Sequence, residues 1–394
     1  MMATDPVVLV GSARTAIGRF GGGFAHTPAH ELGAAAIRAA LVRAGVTSAE
    51  VDEVVMGQVG QVGPDAYNAR RCALTAGLPV TSTAQTVNRL CSSGMQAIWT
   101  AAQILQTDNA AIVVAGGDEN MSMQPFLDFS ARDGQTLGHR TVLDGTLSLL
   151  TDPFGRYQMG CTAENVAERH GISRADQDAF ALESQRKAAA AIAAGFFQAQ
   201  IVPVAVRKGK EEVEITADEH PRPNSTIEGL KKLKPAFRED GTVTAGNASG
   251  INDAAAAVVL MRQSEAQRRG LTPVLRFLGC AVAGVAPEVM GVGPTPAVHK
   301  VLDRLGLRLD EIDLIELNEA FAAQALAVIR ETGMDPERVN VNGGAIALGH
   351  PIGATGAILV IKLQHELARR GGRLGLVTMC IGGGQGMAAV FERL

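Results

Sequence analysis

Two stretches of this chain are versions of one another. Residues 36–57 read AIRAALVRAGVTSAEVDEVVMG, and residues 297–318 read AVHKVLDRLGLRLDEIDLIELN. At an offset of 261 residues, Leu41, Arg43, Gly45, Glu50 and Asp52 recur as Leu302, Arg304, Gly306, Glu311 and Asp313. In each copy an amphipathic helix stops at a glycine, a short acidic linker follows, and an apolar strand (51–56, 312–317) comes next. The segments beyond correspond as well. TVNRLCSSGMQAI (86–98) has its counterpart in VNVNGGAIALGHPIGATGAI, and AAIVVAGG (110–117) in LGLVTMCIGGG (374–384). Each unit reads strand, helix, strand, helix, strand, so the chain must hold two α/β layers.

The composition fits that architecture. The chain is 46% hydrophobic but only 4% aromatic, so its core is Ala, Val, Leu and Ile, which suits helices on a buried sheet. Forty-five glycines fit many tight strand–helix turns. A formal net charge of −4, with both signs spread along the chain, excludes a nucleic-acid protein. No apolar run is long enough to span a bilayer. The N-terminus lacks a charged region followed by an apolar one, and AAVFERL is no peroxisomal signal. Five cysteines, scattered and without a CxxC pair, argue against zinc and against a disulfide scaffold. The expectation is a cytoplasmic protein with reduced thiols and no metal.

The halves are unequal. The second runs from about Pro273 to Leu394; the first ends near Arg262–Gly270 and is roughly twice as long. The excess is read as an insertion, residues 119–248, dividing the first half into 1–118 and 249–270 and leaving 271–394 as the second. The insertion contains an Ala-rich helix predicted over Arg174–Ala194 and the most basic run, LKKLKPAFR (230–238).

Four polar positions sit just past apolar strands of the repeat, the side on which doubly wound sheets bind ligands. Cys91 precedes a helix predicted from near Ser92, with an apolar face of Ala97, Ile98, Ala101, Ala102 and Leu105. Unpaired N–H groups at a helix start favour thiolate, and a nearby imidazole would favour it further. The alternative is a packed, inert thiol. His350, in GGAIALGHPIGATGA, lies 259 residues from Cys91, nearly the repeat offset, so pseudo-equivalent turns would face each other with a thiol and an imidazole. Pro351 is placed at or near the first position of the following helix. The alternative for His350 is a structural cap or a surface residue. Cys380 runs into three glycines, and the Gly382 N–H is placed to donate to an oxyanion. Asn318 either orients water or an oxyanion, or caps a turn.

The blocks NRLCSSGMQA, NEAFAAQ, NVNGGAIALGHPIGATGA and TMCIGGGQGMA resemble the four signature blocks of the thiolase family, and VTAGNASGINDAAAA and SARTAIGRFGG resemble two more. The resemblance runs from about Val7 to Leu394 and is greatest to bacterial acetyl-CoA acetyltransferases and short-chain β-ketothiolases. It implies a thiolase-like layered αβαβα fold: two duplicated α/β halves with an inserted loop domain in the first. It also implies a reversible Claisen condensation of two acetyl-CoA. Cys91 would be the acylated nucleophile. His350 would take its proton and help form one oxyanion hole, completed by a water on Asn318. Cys380 would be the second acid/base, and the N–H groups of Cys91 and Gly382 the other oxyanion hole.

By the same resemblance the insertion binds coenzyme A. Arg222 would stack near the adenine and Ser249 touch the pantetheine arm. Leu150, Met159, Phe237, Ala245, Ala248 and Phe321 would line the channel, and the basic run would lend charge near the phosphates. Two positions depart from the family pattern: Gln158 stands where biosynthetic members usually have His, and Gly229 where a serine is often found near the ribose. The expected partners are acetyl-CoA, acetoacetyl-CoA or another short 3-ketoacyl-CoA, and CoA, with no cofactor, nucleic acid or membrane. A homo-oligomer, dimer or tetramer, is expected. The rival activities are a degradative 3-ketoacyl-CoA thiolase and, more distantly, a non-catalytic lipid-binding relative.

Overall fold

The computed structural model describes residues 5–394. Nine strands are named here: β1 (Val7–Arg14), β2 (Glu53–Gly57), β3 (Thr83–Val87), β4 (Ile112–Asn120), β5 (Asn252–Arg262), β6 (Leu275–Gly284), β7 (Leu314–Leu317), β8 (Leu374–Ile381) and β9 (Gln385–Arg393). With the short pair Gly18–Arg19 they form one ten-stranded sheet, in the order β7-β8-β9-β6-β1-β5-β4-β2-β3. The halves meet where β1 and β6 pair antiparallel over only Val8–Leu9 and Leu275–Arg276. Between β4 and β5, residues 121–251 add no strand to this sheet and instead form two small hairpins and several helices.

The recurring residues do the same jobs in both halves. Helices α1 (Ala29–Ala44) and, later in the chain, Pro294–Leu305 end at Gly45 and Gly306 in left-handed geometry, φ 67° and 64°. Glu50 accepts the Thr47 N–H, and Glu311 the Arg308 N–H, each at 2.8 Å. Asp52 accepts the N–H groups of Ala111 and Ile112 ahead of β4, as Asp313 accepts those of Arg373 and Leu374 ahead of β8. Arg43 donates to the Ser12 carbonyl of β1, and Arg304 to the Cys280 carbonyl of β6. The repeat is therefore a repeat of backbone satisfaction, which explains why these particular polar residues persist in an otherwise apolar pattern.

Three buried cores give the layers. One lies between α1 with α2 (Asn68–Thr75) and the outer face of the first half-sheet. Another lies between the helices of the second half and the outer face of its sheet. The central core holds α3 (Ser93–Gln106) and the helix Thr355–Arg370, with β2, β4 and β5 on one side and β8 and β9 on the other. This is an αβαβα sandwich. The two central helices touch through backbone: a Cβ on Gly94 would fall 2.9 Å from the Ala357 nitrogen, and one on Gly356 only 2.3 Å from the Met95 nitrogen. Only glycine permits that approach.

The Ala-rich helix of the insertion spans Arg174–Ala193, capped by Ser173. Two expectations shift. Pro351 does not begin a helix; the helix starts at Thr355, and Pro351 belongs to the turn before it, accepting from the N–H groups of Ala354 and Thr355. The turn carrying His350 also includes an extra helical turn, Ala345–Leu348, so it is longer than the turn carrying Cys91. The counterpart of β3 in the second half shrinks to a single bridge between Ile315 and Val339. Among the described residues no helix is long and apolar enough to cross a membrane.

Candidate active site

Cys91 sits between β3 and α3 on a turn that the chain bends sharply. Leu90 just before it is left-handed, φ 48°, which for a branched side chain costs about 1–3 kcal/mol. The neighbours hold that bend: Asn88 Oδ1 accepts the Leu90 N–H at 2.9 Å, while Ser93 Oγ accepts from the Arg89 N–H and donates to the Leu90 carbonyl. The turn presents the half-buried Cys91 side chain to a cavity of about 550 Å³.

His350 reaches the same cavity from the second half. Its backbone N–H donates to Asn252 Oδ1 at 2.9 Å. Its ring is fixed at both nitrogens. Thr355 Oγ1 donates to the Pro351 carbonyl (2.9 Å), so it meets His350 Nδ1, 2.7 Å away, as an acceptor. Nδ1 therefore carries the ring proton and Nε2 the lone pair. Asn318 Nδ2 lies 3.3 Å from Nε2 and donates to it directly, leaving Asn318 Oδ1 buried without a protein partner. Thr355 lies within the block NVNGGAIALGHPIGATGA, but its hold on the imidazole becomes visible only in the structure.

Cys380 is the next-to-last residue of β8, fully buried among Met159, Met290, Phe321 and Ala248. The sheet register adds a point about the duplication. Gly57 pairs with Gly117, and Leu317 with Thr378, so the counterpart of Cys380 in the first half is Asp118. Asp118 faces the other way round the sandwich, toward Asn68 and Cys72 of α2. The two halves thus bring different chemistry to matching positions.

The cavity wall is apolar and built by pairing between distant segments. Ala248 bridges to Phe321, and the Ser249 N–H donates to the Ala320 carbonyl, setting Ser249 beside the NEAF segment. The Met159 N–H donates to the Leu150 carbonyl, bringing Leu150, Gln158 and Met159 to one side. Phe237 packs edge-on against Phe321, rings 6.0 Å apart. Ala245 and Gly382 also line the space, whereas Asn318 and Cys380 stand just behind it. The positive groups on its lining are Arg19 and Arg222; His220, lowered to about 4 by burial and by Arg222, lies beside them as a neutral ring, and the lysines of the basic run do not line the cavity. What the run contributes to the lining is Phe237 and a neighbouring alanine, while Arg238 pairs with Asn165 and Glu168. Gln158 is exposed, at the start of the helix Met159–Arg169, and Gly229 lies in a short helix bonded to its cap Thr226.

Burial decides the protonation states. It pushes the Cys91 thiol up to about 11, against the pull of the N–H groups of Gly382 and Cys91 itself. The thiolate expected from the helix start is therefore not the resting form. Burial lowers His350 to about 4, so its ring is neutral at ordinary pH. Cys380 is held well above the usual thiol range by burial and by Cys91 beside it. With no substrate bound, alkylation of Cys91 by iodoacetamide should climb about tenfold per pH unit from pH 6 to 9, because only the thiolate reacts. A rate already flat across that range would instead reveal a preformed thiolate–imidazolium pair.

Known proteins resemble the chain along its whole length. The family model described as "Thiolase, N-terminal domain" matches residues 7–264, and "Thiolase, C-terminal domain" matches residues 271–393. The chain is 52% identical over 393 residues to the β-ketothiolase BktB of Cupriavidus necator, covering 99% of this chain and all of that protein. It is 54% identical over 390 residues to an acetyl-CoA acetyltransferase of Escherichia coli, covering 98% and 99%. Among solved structures it matches the Bacillus anthracis acetyl-CoA acetyltransferase with a TM-score of 0.98 at 47% identity, covering all of both chains. Human mitochondrial 3-ketoacyl-CoA thiolase matches over the same extent, with a TM-score of 0.96 at 42% identity.

Proposed function

The chain belongs to the thiolase family, and from that premise we propose that it is an acetyl-CoA C-acetyltransferase. It joins two acetyl-CoA into acetoacetyl-CoA and CoA, reversibly, through an acyl-Cys91 intermediate. The observation that carries this reading is the meeting of the Cys91 thiol and a neutral imidazole, one from each half, on one apolar cavity, with the Cys380 thiol buried against the side chains of its wall.

The protonation states order the steps. Cys91 rests as a thiol, so its proton passes to Nε2 of His350 as Sγ attacks the thioester carbonyl, the Asn318 Nδ2 hydrogen bond to that lone pair giving way to it. The N–H groups of Cys91 and Gly382 receive the developing oxyanion. Cys380 also rests as a thiol, and it becomes a base only by giving its proton away; the departing CoA sulfur is the acceptor. Cys380 then removes a methyl proton from the second acetyl-CoA, while His350 and a water on Asn318 stabilise the enolate oxygen. The enolate carbon attacks the acetyl carbonyl on Cys91, the C–S bond breaks, and Cys91 recovers its proton from His350. Acyl, protons and charge balance over the cycle, and the thioester energy is kept because the intermediate is itself a thioester.

The pantetheine arm runs past Ser249 and Ala248, and the nucleotide lies at Arg222, with residues 119–248 acting as the CoA-binding insertion between 1–118 and 249–270 and with 271–394 as the second half. A substrate of this kind needs no resident cofactor or metal. Exposed apolar side chains at Phe126, Phe129 and Leu137 support a homo-oligomer, and we place the protein in the cytoplasm.

The test is thiolysis across 3-ketoacyl-CoA chain lengths, beside condensation of acetyl-CoA alone. Leu150, Met159, Met290 and Phe321 crowd the acyl end, so the four-carbon substrate should react fastest and longer chains progressively more slowly. Rates that hold or rise to eight carbons would make this a degradative 3-ketoacyl-CoA thiolase. No turnover of any substrate would leave only a binding protein.

A further inference from the structure

Glu119 is fully buried near the end of β4, and the reaction proposed above gives it no chemistry. Its two oxygens accept three backbone N–H groups, each at 3.0 Å: Val59 and Gly60, just past β2, and Gly353, in the turn that carries His350. The first two belong to the first half and the third to the second. The Gln58 N–H donates to the Val87 carbonyl, and the Asn88 amide reaches the Val59 carbonyl, so the Val59–Gly60 segment lies against the strand end from which the Cys91 turn departs. The backbone leaves no slack beneath the His350 turn. A Cβ on Gly353 would fall 2.6 Å from Glu119 Oε2 and 2.4 Å from the Asp118 carbonyl oxygen, and one on Gly117 would fall 2.1 Å from the Gly353 carbonyl oxygen.

We propose that Glu119 is a positioning residue: one carboxylate pins the His350 turn of the second half to the Cys91 side of the first, and so sets the imidazole against the thiol. The inference rests on the roles given above to Cys91 and His350. A carboxylate suits this place because both oxygens accept and neither donates. The hydrogen bonds that hold it come from three donors. Burial pushes the group up to about 8 against the pull of the three N–H groups, so the carboxylate prevails above that pH, and the variant is compared with the wild type at pH 9. A glutamine of the same shape would turn an NH₂ toward at least one of those N–H groups and lose its hold there.

Glu119→Gln in the full chain is the test, with three readouts. The rate of Cys91 acetylation should fall about 10²-fold, the scale expected for a reacting pair displaced by about 1 Å. The KM for acetyl-CoA should stay within about twofold, because Glu119 does not line the cavity. Amide hydrogen exchange should accelerate in peptides covering 58–61 and 349–354 and nowhere else. A wild-type acetylation rate in the variant overturns the proposal, as does a loss spread over KM and over protection throughout the chain. If Glu119→Gln does not accumulate folded, exchange in the wild-type protein decides: Gly353 should be protected like a sheet amide, and exchange at a loop rate overturns the clamp. Failure of the functional reading is separable, since it appears as wild-type protein that gains no acetyl group at Cys91, whatever the exchange data say.

Discussion

Incubated with acetyl-CoA, the wild-type chain should gain one acetyl group at Cys91, and Cys91→Ala should gain none and lose condensation by on the order of 10⁴-fold or more. Removing the sulfur removes the covalent intermediate itself, whereas the imidazole and the N–H donors that remain only stabilise charge. The loss should not come from unfolding. Cys91 is half-buried at a turn whose shape is held by Asn88 and Ser93, so its thiol contributes little to the fold. Intact mass and peptide mapping read the adduct, and thermal unfolding reads the fold. A label found on Cys380 or Cys161 would sink the assignment.

Cys380→Ser should separate the two thiols. The variant should still acquire acetyl at Cys91, since a CoA thiolate leaves without obligatory protonation. It should lose condensation, and exchange of acetyl-CoA methyl protons with deuterium, by about 10²–10⁴-fold, the usual worth of a positioned acid/base. A serine hydroxyl is too weak an acid to become an alkoxide in this buried position. Acylation and deuterium incorporation must be measured in the same preparation. Wild-type exchange in this variant would move the base role to His350.

What the sequence made legible was whatever is local. Gly45, Glu50 and Asp52 recur at the repeat offset because each satisfies backbone groups a few residues away or at the next strand, and the same needs arise twice. Cys91 and His350 stood out because a strand, a polar residue and a glycine-rich turn lie together in sequence. Their protonation states were not legible. A helix start is visible in a sequence, but the burial that outweighs it comes from Leu150, Met121 and Ile352, which are far away in the chain. The basic run stands out by charge alone, yet it is Phe237 and not its lysines that lines the cavity, where the positive charge comes from Arg19 and Arg222, scattered in sequence. Glu119 gave no signal for the same reason: its partner Gly353 is 234 residues away, and a buried carboxylate ending an apolar strand looks like a flaw in the pattern. The positions of Asp118 and Cys380 show the limit of the repeat itself, since matching backbone sites carry unlike side chains.

The glycine contact between the two central helices also bears on how substrate enters. Many enzymes whose sites lie between two lobes admit ligand by swinging the lobes apart about a hinge. Here Gly94 and Gly356 leave the helices in backbone contact, with no layer of side chains to slide over, and one sheet continues through both halves. Such a joint has no shear plane. The two lobes are expected to move as one body, which leaves the wall made by residues 121–251 and the side chains lining the cavity as the parts that can yield to an entering substrate. Substrate entry should then require only movements of loop and rotamer size, and heating should loosen that wall well before it parts the lobes.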